Sequence, residues 1–167
     1  MTASDEGDFM ASQNSEQVGL SLQALVHLRD LLLTSSSPMS LSNNQLQALS
    51  PIALAYIGDA VFELFVRGVF LDPPCRIQTY HQKVVNQVRA EQQSRHLSKL
   101  VPYLTPEEQA ILKRGRNAAP RGPRRVDPEV YQQATSFETL VGYLYLTDPH
   151  RLTELFSYVD LASSESL

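Results

Sequence analysis

Apolar residues in this chain recur every three or four positions and show no sustained alternation, the spacing of helices that bury one face. Between residues 50 and 70, Leu54, Ile57, Val61 and Leu64 predict an inward stripe, with Asp59 and Glu63 one turn apart on a neighbouring face. The turn LDPPCR ends that helix with two prolines. Residues 76–100 keep helical periodicity through Tyr80, Val84, Val88 and Leu97, which reads as core rather than as a platform for bases. Thr105 and Glu108 form a capping box with Pro106 in the first helical position. Asp127, Pro128 and Glu129 open the last major helix, striped by Phe137, Leu140, Val141 and Leu144. Upstream, residues 20–34 predict an amphipathic helix followed by the linker SSSPMSLSNNQ. The expected organisation is a disordered tail over 1–19, the extra helix and linker over 20–47, an all-α domain over 48–160, and a disordered tail over 161–167.

Composition narrows this picture. The 167 residues, 43% of them hydrophobic, suit one domain with a core. No basic region followed by a long apolar stretch opens the chain, and the LLL at 31–33 is flanked by charge, so a cytoplasmic protein without a membrane span is expected. A single cysteine, Cys75, excludes an intrachain disulfide and a cysteine zinc cluster, and four scattered histidines disfavour a histidine metal site. The net charge of −4 is unevenly spread: residues 50–160 hold 13 Lys and Arg against 12 Asp and Glu. Residues 113–125, KRGRNAAPRGPRR, concentrate six of the 14 basic residues with no acid, either a footprint for phosphate or a solvated run.

Two acids stand out because of their surroundings. Asp59 follows Gly58 inside LAYIGDAVFEL, and Glu138 lies in ATSFETLVGYLYL one turn before Gly142. A carboxylate within an apolar helical run either faces solvent on an amphipathic helix or is neutralised by a cation. Thr135 and Glu138 offer a competing capping-box reading, but Asp127 and Pro128 give the better start and leave Glu138 inside the helix. A glycine in each helix permits close packing that aims both acids at one point, a site suited to magnesium.

LAYIGDAVFEL, KRGRNA and ATSFETLVGYLYL, in this order, resemble the ribonuclease III catalytic domain, and specifically its stand-alone mini-ribonuclease III branch, over about residues 48–160. The resemblance implies an all-helical homodimer that cleaves double-stranded RNA with magnesium, which manganese can replace. It places Asp59 and Glu138 at the catalytic, metal-binding positions. Longer family members add a glutamate and an aspartate where this chain has Ala55 and Thr135; the mini branch shares the smaller residues, which leaves the metal count open, with Glu63 and Asp127 as possible helpers. Tyr56 falls where a phenylalanine inserts into the partner subunit, so it is a dimer-interface candidate, with core packing as the alternative.

With no separate double-stranded RNA-binding domain expected after residue 160, the catalytic domain should hold its own substrate. Lys113, Arg114, Arg116, Arg121, Arg124 and Arg125 are the phosphate-binding candidates. Asn117 is either a donor to phosphate or 2′-hydroxyl or a local turn residue. Gly115, Gly122, Pro120 and Pro123 suggest a mobile basic loop. The implied substrate is the large-subunit (23S) ribosomal RNA precursor, presented in one version by a ribosomal protein. Two rivals remain: a non-catalytic double-stranded RNA-binding or ribosome-assembly protein on a degenerate domain, and a helical protein-interaction module.

Overall fold

A computed structural model describes residues 43–161, and before them only Gln23 and His27, both helical. The rest of the predicted helix 20–34, and the tails, lie outside the described residues. The described part is all-helical: α1 (Asn43–Ala48), α2 (Pro51–Val69), α3 (Ile77–Val88), α4 (Ala90–Leu100), a single 3₁₀ turn (Val101–Tyr103), α5 (Pro106–Ala118), α6 (Pro128–Thr147) and α7 (Pro149–Ser157). Helix α1 forms where the end of the linker was expected. No described helix is long and apolar enough to cross a membrane.

Helix starts follow one local rule. Ser50, Thr105, Asp127 and Asp148 cap α2, α5, α6 and α7, each followed by proline in the first helical position, where no N–H is needed. The Thr105–Glu108 capping box forms as expected. Asp127 accepts from the Glu129 and Val130 amides, so Glu138 is an interior residue of α6; Thr135 bonds back to the Tyr131 carbonyl instead of capping anything.

Helix α6 is the axis of the domain, with α2, α5 and α4 packed around it. The core is aromatic at its centre: Phe62 meets Phe137 edge-to-face at 4.9 Å, and Phe65 stacks on Phe156 at 4.4 Å. Val84 and Leu97 are buried, and Tyr80 and Val88 are partly buried against that core. The expected continuous run over 76–100 is two helices, broken at Arg89 by an extended backbone (φ −67°, ψ 152°). Helical phase explains the break, since 13 residues separate Val84 from Leu97 and a straight helix would turn them to roughly opposite faces. Bending at Arg89 buries both, and it brings Gln87 Oε1 to 3.0 Å from His96 Nε2.

One expectation for α2 fails. Ile57 and Leu64 do not point inward: they are 40% and 48% exposed, and the buried face is Leu54, Ala55, Gly58, Val61, Phe62, Phe65, Val66 and Val69. The helix is apolar on two sides, so periodicity alone could not choose between them. Packing chose the side that carries glycine and phenylalanine.

Candidate active site

Gly58 and Gly142 are where α2 and α6 touch. A methyl group on Gly58 would lie 1.8 Å from the Glu138 carbonyl oxygen, and one on Gly142 would lie 2.0 Å from that of Leu54. Both are backbone obstacles that no rotamer change relieves, so only glycine permits this approach. Thr139, one residue after Glu138, donates to the Thr135 carbonyl of its own helix at 2.7 Å, with the Pro51 carbonyl of α2 a longer contact at 3.3 Å.

The crossing sets the two acids against one another. Glu138 is partly buried at the contact, whereas Asp59, next to Gly58, stays exposed at the rim. Burial, then the neighbouring Asp59 carboxylate, pushes the Glu138 carboxyl up to about 7, against a smaller downward pull from Gln93. Asp59 is raised as well, by loss of hydration where its carboxylate meets protein and by Glu63, again opposed by Gln93. The pair is short of positive charge, and no Lys or Arg contributes to either shift.

The remaining sequence candidates take distinct places. Glu63 is engaged one turn along α2 by Arg67, whose Nε donates to it at 3.1 Å. Asp127, the cap of α6, is 11 residues before Glu138, about 16 Å along the axis, and takes no part in the acid pair. Ala55 and Thr135 are buried, and the Thr135 hydroxyl is used within its own helix. Among the described residues no three His, Cys, Asp or Glu side chains gather as a metal cage. Tyr56 is 80% exposed, so the core-packing alternative falls. With Ile52, Ile57 and Leu64 it leaves the outer side of α2 apolar and uncovered in the single chain.

The basic segment is half helix and half loop. Lys113, Arg114, Arg116 and Asn117 occupy the last turns of α5, and Arg121, Arg124 and Arg125 the connection to α6; all seven are exposed. Arg116 pairs with Glu129 at 3.6 Å. A cavity of about 540 Å³ opens beside Lys113, Arg116 and Asn117, and a second of about 710 Å³ lies along Arg121 and Arg124. Two of the glycines expected to loosen a loop instead serve packing. Gly115 is buried in α5, where a methyl group would lie 2.5 Å from Thr139 Oγ1, and Gly122 lies against the Tyr131 ring. A helix-packing glycine and a loop glycine look alike in a sequence until the neighbour is known.

Sequence reasoning missed Gln93. It is one of three polar residues in succession, Gln92, Gln93 and Ser94, all buried on α4, and it alone reaches both site carboxylates. The signal was available as an excess of polar residues on what had to be an inward face.

Residues 52–149 match the Ribonuclease III domain family. The chain is 56% identical over 115 residues to the mini-ribonuclease 3 of Synechocystis sp., a match spanning 69% of this chain and 80% of that protein. It is 57% identical over 108 residues to that of Thermosynechococcus vestitus, spanning 65% and 72%. Its fold is similar to a crystal structure of a Fusobacterium nucleatum protein, with a TM-score of 0.64 and 29% identity over 70% of this chain and 96% of that one. With the all-helical architecture and the extent of these matches, the chain belongs to the ribonuclease III family, in its mini-ribonuclease III branch, and is an endoribonuclease.

Proposed function

We propose that this enzyme is a magnesium-dependent, homodimeric, cytoplasmic nuclease that cleaves double-stranded RNA in the large-subunit (23S) ribosomal RNA precursor, with Asp59 and Glu138 as its catalytic, metal-holding residues. The observation that carries this is the Asp59–Glu138 pair, pressed together by two glycines and lacking a counter-ion. The donor set suits the metal: two hard carboxylate oxygens, with no third acidic or imidazole side chain clustered with them among the described residues, match an ion that keeps several waters. Manganese shares this preference for oxygen ligands. When bound, magnesium supplies Lewis acidity that ionises a water and stabilises the departing 3′-oxygen, giving 5′-phosphate and 3′-hydroxyl ends.

The protein's own groups do the rest. Glu138, whose carboxyl burial and Asp59 push up to about 7, would release its proton to solvent on becoming a ligand. Asp59 at the rim faces the substrate side. Lys113, Arg114, Arg116, Arg121, Arg124 and Arg125 engage the RNA phosphates, and Asn117 donates to phosphate or 2′-hydroxyl. Such contacts read duplex shape more than base sequence. The uncovered face of Ile52, Tyr56, Ile57 and Leu64 receives a second copy, so that each site cuts one strand. A ribosomal protein that shapes the precursor stem is an optional partner on this reading.

The test is cleavage of structured double-stranded RNA, including ribosomal precursor stems, by purified protein with magnesium beside Asp59→Asn. Cleavage by the parent and a loss of about 100-fold or more in the variant are expected. Binding without cleavage across metals and stems would replace this reading with the scaffold.

A further inference from the structure

Two buried side-chain nitrogens along α4 have no hydrogen-bond partner, His96 Nδ1 and Gln93 Nε2; the imidazole is engaged through its other nitrogen, the amide nitrogen not at all. Ser94 donates to Gln133 Oε1, and His96 Nε2 meets Gln87 Oε1. Gln93 is 1% exposed, yet its Nε2 has no hydrogen-bond partner of normal geometry. A buried amide nitrogen left unsatisfied is costly and calls for an explanation. Its neighbours supply one. The side chain comes from α4 into the corner where α2 and α6 cross, and its amide draws both Asp59 and Glu138 downward against the burial that raises them. The amide nitrogen carries two N–H groups, and two carboxylates face it. Neither carboxylate completes a hydrogen bond with Gln93 Nε2.

We infer that Gln93 is a positioning residue of this site, its side-chain amide clamping the Asp59 and Glu138 carboxylates in the arrangement that accepts a divalent cation. The inference rests on the metal-site reading proposed above. A cation held by both carboxylates would draw them together and let each accept from one N–H, satisfying the orphaned donor. Gln93 would then do for the ligands what outer hydrogen bonds do at metal sites in general: fix their orientation. The glycine contact positions the two backbones, and Gln93 positions the carboxylates they carry.

Manganese binding to the RNA-free protein, followed by electron paramagnetic resonance, tests this with the parent, Asp59→Asn, Gln93→Leu and Gln93→Met. Gln93→Leu should weaken manganese binding by about tenfold or more. Its metal-free melting temperature should hold or rise, because an unsatisfied amide has gone. In cleavage assays kcat should fall while KM for duplex RNA stays. Parent-like manganese affinity and kcat in Gln93→Leu, with binding lost in Asp59→Asn, would overturn the clamp alone and leave the metal site standing. Binding in the parent that Asp59→Asn leaves untouched would overturn both. Gln93→Met, similar in volume, serves if the leucine variant does not fold; unfolding of both would make Gln93 a packing residue and overturn the role.

Discussion

Glu108 and Glu138 are both helical glutamates drawn into the protein, and they are treated in opposite ways. Glu108 is 5% exposed. Burial pushes its carboxyl up, but Arg151, donating from Nε at 2.8 Å and Nη2 at 3.1 Å, together with the Thr105 backbone N–H, pulls it below the usual range. Arg151 is correspondingly raised, by Glu108 first and by Glu154. Glu138 has no such arginine, its nearest charged influence is another acid, and it is raised to about 7. On the function proposed above, the acid that serves the fold has its counter-charge built in, whereas the one that serves chemistry has the place for it left open.

The contrast breaks most visibly by exchange of function. Asp59→Asn and Glu138→Gln should each lower kcat/KM on duplex RNA on the order of 10²–10³-fold, the range for removing one stabilising group from an active site. Arg151→Ala should leave cleavage intact below its melting temperature. A comparable loss of cleavage in Arg151→Ala, measured on folded protein, would erase the distinction.

Forcing apart the contact that brings Glu138 to Asp59 comes next. Gly142→Ala places a methyl group on the Leu54 carbonyl and should cost about 3 kcal/mol in chemical denaturation, with cleavage lost at the same time. A fully stable Gly142→Ala would mean that the helices have slack there. Arg151→Ala, which leaves Glu108 buried without its partner, should cost about 2–3 kcal/mol in the same assay while sparing the acid pair.

The two glutamates also predict opposite responses to pH. Glu138 rises in the folded state from 4.5 to about 7, so the folded protein binds the extra proton between those values. Metal-free stability should therefore fall by about 3 kcal/mol as pH climbs through that window, and Glu138→Gln should remove the decline. Glu108 is lowered, so its contribution is present above its ordinary value and is lost as pH falls. Magnesium favours ionised Glu138 and should stabilise the protein more at pH 8 than at pH 5, a comparison that melting curves can read.

The smallest effect concerns the cations. Arg151 serves an internal acid, whereas Arg121, Arg124 and Arg125 are exposed. Replacing these three by alanine should reduce the slope of log affinity for duplex RNA against log salt by up to about 3, leaving stability unchanged. A slope equal to the parent's would remove the loop from the RNA interface.

What the sequence determined by itself was local. Capping chemistry at Thr105 and Asp127 is written in adjacent residues, which is why these helix starts, and the interior place of Glu138, were legible. The motif helices and their paired glycine and acid were legible for the same reason. Tertiary structure decided whatever depended on a neighbour. It chose which apolar side of α2 became core, turning Ile57 and Leu64 outward, because burial is a competition among faces that periodicity does not rank. It broke the run over 76–100 at Arg89, since only the opposing core shows that Val84 and Leu97 must face one way. It gave Gly115 to helix packing and Gln93 to the acid pair, because a close approach and a burial both belong to two segments at once.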